Sequence, residues 1–192
     1  MLVCGLGNPG SCYSCTRHNL GFLLLDYISY SFNLGSFSKK FSGSFLKFSQ
    51  NKKDLIFFKP ESFMNNSGKP ISELVKFYKL KICDIIVVHD DVDLDFLAIK
   101  IKRRGSSGGH NGLKSIDTLI GKDYWRLRFG VGRSERANLS SYVLSKFSAE
   151  ELKKIKIAFD FIGKNFIDLL DNIEAKIPKF IEYYKNHLYK SI

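Results

Sequence analysis

Met1-Leu2-Val3-Cys4-Gly5-Leu6-Gly7-Asn8-Pro9-Gly10, followed by Thr16-Arg17-His18-Asn19 and an apolar stripe over residues 20–28, is the stretch on which the fold turns. A short apolar run, a Gly-rich turn, a polar cluster and then helical periodicity read as strand, loop, helix. Open α/β sheets place their ligands in the loop at the carboxyl end of such a strand. Asn8, Arg17, His18 and Asn19 are therefore the first candidates for chemistry. Gly5-x-Gly7-x-x-Gly10 also satisfies the dinucleotide-binding pattern, with Asp26 downstream as a candidate ribose acid. That pattern needs a helix to begin within the glycines, so that its amides face a pyrophosphate. Here Pro9 intervenes, the helical pattern begins only near Leu20, and Asp26 falls inside the first helix. The oxidoreductase reading fails on that context.

Outward from this unit, helical and strand-like stretches alternate. Residues 20–31 are predicted as a helix with Asn19 as its cap. Residues 37–50 alternate in their later half, residues 51–54 turn, and residues 55–58 form an apolar strand that ends at Pro60. A helix is predicted over residues 71–80. The continuous apolar run Ile85-Ile86-Val87-Val88 reads as a central strand covered on both faces, delivering His89-Asp90-Asp91 at its carboxyl end. Residues 97–102 alternate apolar and basic side chains, as a strand with one cationic face does. After the loop at 105–109, His110-Asn111-Gly112 opens a helix to about Ile120, and residues 125–131 return as a strand carrying Arg126 and Arg128 on one side. A long amphipathic helix is predicted over residues 149–170, followed by a basic terminal segment. The whole predicts one α/β domain over residues 1–192, with a mixed, mostly parallel twisted sheet flanked by helices.

Composition narrows the function classes. No run of about 18 apolar residues is present, so no membrane span is expected, and Gly5 interrupts the amino-terminal run too early for a secretory leader. Cys4, Cys12, Cys15 and Cys83 form no disulfide framework, which fits a reducing cytoplasm. Cys12-x-x-Cys15, with His18 nearby, has a metal or redox spacing, but it lacks the second pair or the thioredoxin-like surroundings that either use needs. Two incidental loop thiols are the expectation. The formal charge is +11, from 30 Lys/Arg against 19 Asp/Glu. Residues 100–136 hold ten Lys/Arg against Asp117, Asp123 and Glu135, a net of +7, so the excess is concentrated rather than spread. Such clustering is the footprint of a polyanionic partner, here nucleic acid.

Asn8, Met64-Asn65 and Asp90 each follow an apolar strand, and Asn111 begins a helix after a Gly-rich loop. If the strands are parallel neighbours, these positions share one rim. Asparagine donates and accepts at once, which suits holding a peptide backbone or an acyl oxygen. An imidazole and a carboxylate complete a general-base pair, in which His takes a proton from water and Asp fixes the tautomer. No serine sits in a nucleophile elbow and no thiol has an activating context, so water is the expected attacker. Residue types alone leave open which of His18, His89, His110 and His187 is the base, although an isolated histidine such as His187 is ordinarily structural or solvated.

The ordered blocks Gly5-Leu6-Gly7-Asn8-Pro9-Gly10, Tyr13 with Thr16-Arg17-His18-Asn19-x-Gly21, Phe63-Met64-Asn65-Asn66-Ser67-Gly68-Lys69, His89-Asp90-Asp91-x-Asp93-Leu94, Gly108-Gly109-His110-Asn111-Gly112-Leu113-Lys114 and Arg126-Leu127-Arg128-x-Gly130-x-Gly132-Arg133 resemble the bacterial-type peptidyl-tRNA hydrolases. With Tyr142-Val143-Leu144 the resemblance covers residues 1 to about 147; beyond that the chain fits only in being helical. The resemblance implies hydrolysis of the ester between a peptide, or an N-blocked aminoacyl group, and the 3′ ribose of tRNA, which recycles tRNA from stalled translation. It implies His18 as general base, with Asp90 orienting it. Asn8, Asn65 and Asn111 would hold the peptide, the water and the developing oxyanion, and Tyr13 and Met64 would line the cleft. Lys102 and Arg128 would clamp the tRNA 5′-phosphate. The implied partner is the acceptor arm, CCA end and peptide of peptidyl-tRNA. No metal, no organic cofactor, no membrane and no obligate protein partner are implied, and the chain is expected to act as a monomer. Departures from the family pattern are Cys12 and Cys15 beside Tyr13, Ser145 where a glycine often stands, and the doubled Arg103-Arg104. A non-catalytic RNA-binding protein on the same fold is the competing class; the retained His18, Asp90 and three asparagines argue against it.

Overall fold

The computed structural model describes residues 1–50, 53–133 and 138–191. The turn expected at Asn51-Lys52 and the charges of Glu135 and Arg136 lie outside the described residues. Seven strands form one sheet: β1 (Leu2–Gly5), β2 (Ser38–Lys40), β3 (Gly43–Gln50), β4 (Lys53–Pro60), β5 (Ile85–Asp91), β6 (Ile99–Arg103) and β7 (Trp125–Gly130). Their spatial order is β2-β3-β4-β1-β5-β7-β6. The four central strands β4, β1, β5 and β7 are parallel, while β2, β3 and β6 pair antiparallel to their neighbours. The predicted mixed, mostly parallel sheet is thus present, with its antiparallel strands at both edges.

Alternation along the strands divides the core in two. Val3, Phe57, Ile86, Val88, Leu127 and Phe129 face α1 (Leu20–Ser31), α5 (Ala149–Asp171) and α6 (Ile173–Ser191). Leu2, Cys4, Ile56, Phe58, Ile85 and Val87 face α2 (Gly68–Tyr78) and α3 (Asn111–Ile120). Burial on both faces is what the continuous apolar run of β5 requires. A short helix, α4 (Leu139–Val143), precedes α5 and had no sequence signal beyond Asn138, whose side chain accepts the Ser140 N–H.

Three local expectations are corrected. Asn19 makes no side-chain cap for α1; its Oδ1 accepts the Asn8 N–H and its Nδ2 donates to the Asn8 carbonyl, both at 2.9 Å, so it braces the glycine loop instead. Helix α2 starts at Gly68 rather than Ile71, because Pro70 falls in the first turn, where its missing N–H has no helical partner to lose. Strand β6 starts at Ile99 rather than Leu97, because Leu97 takes a left-handed φ of 69° that no strand accommodates.

The packing of α1 on the sheet explains the first glycines. A Cβ on Gly5 would press on the Gly21 carbonyl, and one on Gly21 would stand 2.5 Å from the Val88 carbonyl oxygen and closer still to the Leu6 backbone. These glycines let helix and strand ends touch backbone to backbone. That is a different use from cradling a phosphate.

Candidate active site

His18 sits in a 3-10 turn, Arg17–Asn19, wedged between the end of β1 and the start of α1. Its neighbour Arg17 pins this turn to the carboxyl-terminal third of the chain. Arg17 Nη2 donates to Glu151 at 2.6 Å, and its Nη1 donates to the Lys146 carbonyl at 2.9 Å and to Ser145 Oγ at 3.0 Å. The guanidinium lies over the rings of Tyr142 and Phe147. Arg17 is thus a structural anchor, and Ser145 supplies one of its acceptors.

Asp90 is delivered by the carboxyl end of β5 and is 2% exposed. One of its oxygens, Oδ1, lies 2.9 Å from His18 Nδ1 and 3.1 Å from His110 Nε2. His110 caps α3: its Nδ1 accepts the backbone N–H groups of Gly112 at 3.1 Å and Leu113 at 3.4 Å. That acceptor role fixes its tautomer, with the proton on Nε2 and directed at Asp90. His18 therefore donates from Nδ1 to the same oxygen, which leaves its Nε2 lone pair free on a side chain that lines the cleft. Burial alone would raise the Asp90 pKa, but the two imidazoles and their hydrogen bonds outweigh it and hold the carboxyl below the usual carboxylate range.

His89 stands behind this pair, 3% exposed, its Nδ1 donating to the Asp90 carbonyl at 2.7 Å. Its ring meets that of His110 edge-on, and its buried Nε2 has no hydrogen-bond partner among the described residues. Burial and the neighbouring His110 keep it neutral, with its pKa pushed down to about 3. His187 lies on α6 against Phe161, far along the chain from this cluster.

The cleft encloses about 250 Å³. Among the residues that line it are His18, Asp90, His110 and Asn111 together with the cations Lys102, Arg126 and Arg128. The loop at 105–109 forms its margin, carrying the chain from antiparallel β6 back across the sheet to His110. Asn111 therefore reaches the rim by this loop, not from the end of a parallel strand.

A family model described as peptidyl-tRNA hydrolase matches residues 2–187. The chain belongs to the peptidyl-tRNA hydrolase family. A peptidyl-tRNA hydrolase of Neorickettsia sennetsu is 52% identical over 184 residues, which cover 96% of this chain and 94% of the relative. One from Wolbachia pipientis is 55% identical over 148 residues, covering 77% of this chain and 81% of that protein. The crystal structure of peptidyl-tRNA hydrolase from Acinetobacter baumannii superposes with a TM-score of 0.84 at 30% identity, covering 97% of this chain and 93% of that one. The chain is a peptidyl-tRNA hydrolase, acting on the ester bond of its substrate. The match extends past residue 147, where the sequence blocks stop, through α5 and into α6.

Of the nine residues singled out in a peptidyl-tRNA hydrolase reading, His18, Asp90, Asn111, Lys102 and Arg128 line one cleft. Asn8, Tyr13, Met64 and Asn65 form a neighbouring group at the ends of β1 and β4. Asn8 is buried, and its Oδ1 accepts the Met64 N–H at 2.8 Å, which leaves its amide nitrogen to donate. Met64 Sδ lies where a Cβ on Gly112 would reach within 2.6 Å, so this group abuts the helix that His110 caps. Tyr13 meets Phe63 edge-on at 6.4 Å, and Asn65 is exposed in the 3-10 turn Met64–Asn66. His110 was one of four open candidates in the sequence. Its place at the start of a helix after a Gly-rich loop was the available signal that it is a cap rather than a base.

His18, Asp90 and His110 also have the residue types of a metal site, their ligand atoms lying within 4.8 Å of one another. The chemistry of the set does not fit an ion. His110 Nδ1 is already taken by two amide donors, so a metal on Nε2 would require an imidazolate. Cys12, exposed, and Cys15, half-buried, are free thiols outside this cluster. Among the described residues no helix is long and apolar enough to cross a membrane.

Proposed function

We propose that the ester of peptidyl-tRNA is cleaved by water activated at His18. The observation that carries this reading is the doubly occupied Asp90 oxygen, which accepts from His18 Nδ1 and from His110 Nε2. With Asp90 ionised and Nδ1 protonated, His18 Nε2 takes a proton from water as the oxygen attacks the acyl carbon. The imidazolium that forms is steadied by Asp90. The carbon–oxygen bond to the 3′ ribose then breaks, and the proton passes from His18 to the departing ribose oxygen. Asn8, Asn65 and Asn111 hold the peptide, the water and the oxyanion, since an amide nitrogen serves developing negative charge. Tyr13 and Met64 line the peptide side. Lys102 and Arg128 take the 5′-phosphate of the tRNA; contacts of this kind position the substrate and read no sequence. The chain works as a monomer in the cytoplasm, without metal or organic cofactor.

The test is cleavage of an N-blocked aminoacyl-tRNA by the purified full chain. His18→Ala should lower kcat by about 10²–10⁴-fold, the usual cost of losing a general base, with tRNA affinity little changed. Turnover at the wild-type level would reassign the base.

A further inference from the structure

Four cations stand in register across the sheet edge, with Lys100 opposite Arg128 and Lys102 opposite Arg126. The three that border the cleft differ in how far they are committed. Arg126 is buried and held at both ends of its fork, its Nη2 donating to Asp117 at 3.0 Å and its Nη1 to the Ser106 carbonyl at 2.6 Å. Lys102 is exposed and, among the described residues, has no acidic partner. Arg128 lies between these extremes. Its side chain is 29% exposed, its Nε donates to Asp91 Oδ2 at 2.5 Å, and its two Nη groups have no partner among the described residues. Asp91 is itself fixed: its side chain is 10% exposed, and its other oxygen accepts the Asp93 N–H at 3.0 Å. A carboxylate thus backs the guanidinium of an intended phosphate clamp, and both of its oxygens are occupied.

We propose that Asp91 is a positioning residue whose charge limits the grip of the Lys102–Arg128 clamp on a terminal phosphate, so that deacylated tRNA leaves after cleavage. The proposal rests on the reading of these two cations as a 5′-phosphate clamp. A phosphate monoester seated on the Nη fork meets Asp91 across the same guanidinium, and the carboxylate repels a dianion more than it repels a singly charged diester. Substrate and product carry the same 5′-phosphate, so whatever the clamp holds before cleavage it still holds afterwards. Binding that is equal in both states lowers KM without speeding the chemistry, and release of product then sets the rate. An unopposed pair of cations would retain the product. Orientation of Arg128 alone is the other role open to Asp91, and it predicts the opposite sign, because a loosened fork binds phosphate less well.

Asp91→Asn separates the two, since the amide oxygen can still accept from Arg128 or from Asp93. Deacylated tRNA bearing either a 5′-phosphate or a 5′-hydroxyl is titrated against the full chain, and turnover of N-acetylaminoacyl-tRNA is followed alongside. We expect about tenfold tighter binding of the 5′-phosphorylated tRNA, unchanged binding of the 5′-hydroxyl form, and a fall in both KM and kcat. Weaker or unchanged binding of the phosphorylated tRNA by Asp91→Asn would overturn the proposal. So would an equal gain when Arg128 is already Gln, because the charge would then act on the surface at large. Asp91→Glu keeps the charge and should bind as the wild type does; tighter phosphate binding by that variant also counts against it. If the wild type itself binds both tRNAs equally, the clamp reading fails first and the proposal with it.

Discussion

Residues 5–10 and residues 105–109 are both rich in glycine, and each loop leads to a histidine that donates to the same oxygen of Asp90. Most of their glycines answer opposite needs, although Gly10 in the first stretch also takes a positive φ, 104°, with nothing nearer than 3.8 Å to where a Cβ would be. Around the first loop, side chains are absent because there is no room: Gly5 meets the Gly21 carbonyl, and Gly7 lies on the ring of Phe22. In the second, nothing stands within 4 Å of where a Cβ on Gly108 or Gly109 would be, and what those residues supply is a positive φ, 56° and 85°. One loop is locked by packing and carries the proposed base. The other is shaped by backbone freedom and carries a helix cap. The molecule therefore places the proposed base, His18, on the crowded side of Asp90 and the capping imidazole, His110, on the open side.

The largest effect should come from filling the crowded side. Gly21→Ala puts a methyl group into the backbone of Leu6 and Val88, atoms that cannot rotate away. Overpacking against adjustable side chains costs about 1–3 kcal/mol. Against backbone on both sides, the loss should reach about 3 kcal/mol or more in urea unfolding. Because the turn holding His18 runs directly into α1, turnover should fall as well. A wild-type denaturation midpoint for Gly21→Ala would break the contrast between the loops.

A smaller effect, confined to a pH window, tests the core behind Asp90. His89 is buried neutral, with a native pKa near 3 against the ordinary 6.5. Between those values the unfolded chain binds a proton at this position that the native chain refuses, so stability is intact above about pH 6.5 and declines as pH falls. At pH 5 the loss from this one group is about 2 kcal/mol relative to pH 7. Asp90 acts in a separate window. Its native pKa is lowered, so its contribution is present above about pH 4 and disappears only in stronger acid. Replacing His89 with Leu should therefore flatten the stability curve between pH 7 and 5 while leaving the steeper acid limb in place. Equal slopes for the two proteins in urea titrations would show that His89 accepts its proton in the folded state.

These contrasts mark how far the sequence could be read. Strand and helix order followed from periodicity, and three blocks of polar residues after apolar runs, at Asn8, Met64-Asn65 and Asp90, located the rim, because parallel strands bring their carboxyl ends together. The pairing of His18 with Asp90 was legible only through the family resemblance, because residue types left four histidines open. That Asp90 serves two imidazoles was not, since it depends on α3 beginning where the loop sets it down. Arg17 read as a candidate for chemistry because it sits beside His18. Its true partners lie more than 120 positions away, at Ser145, Lys146 and Glu151, and no local pattern reports such a contact. Arg126 and Arg128 looked equivalent on one face of β7; only the tertiary positions of Asp117 and Asp91 distinguish a buried strut from a cation whose Nη donors have no partner among the described residues. Glycine spacing was equally mute on cause, because close approach and positive φ leave the same letter in the chain.

The smallest effect should lie on the open side. Gly109→Ala meets no neighbour, so the cost is that of holding an L residue at φ 85°, about 1–2 kcal/mol for left-handed backbone and well short of the Gly21→Ala loss. The loop can yield part of this by shifting toward solvent, and His110 would move with it, because its N–H is tied to the Ser107 carbonyl at 2.9 Å. A displaced His110 removes one donor from Asp90 while His18 keeps its own. Turnover of Gly109→Ala should then fall by about tenfold or less, the scale of a single hydrogen bond and well short of the His18→Ala loss. If kcat for Gly109→Ala dropped as far as for His18→Ala, the second imidazole would belong to the reaction itself, and the division of labour across Asp90 would have to be redrawn.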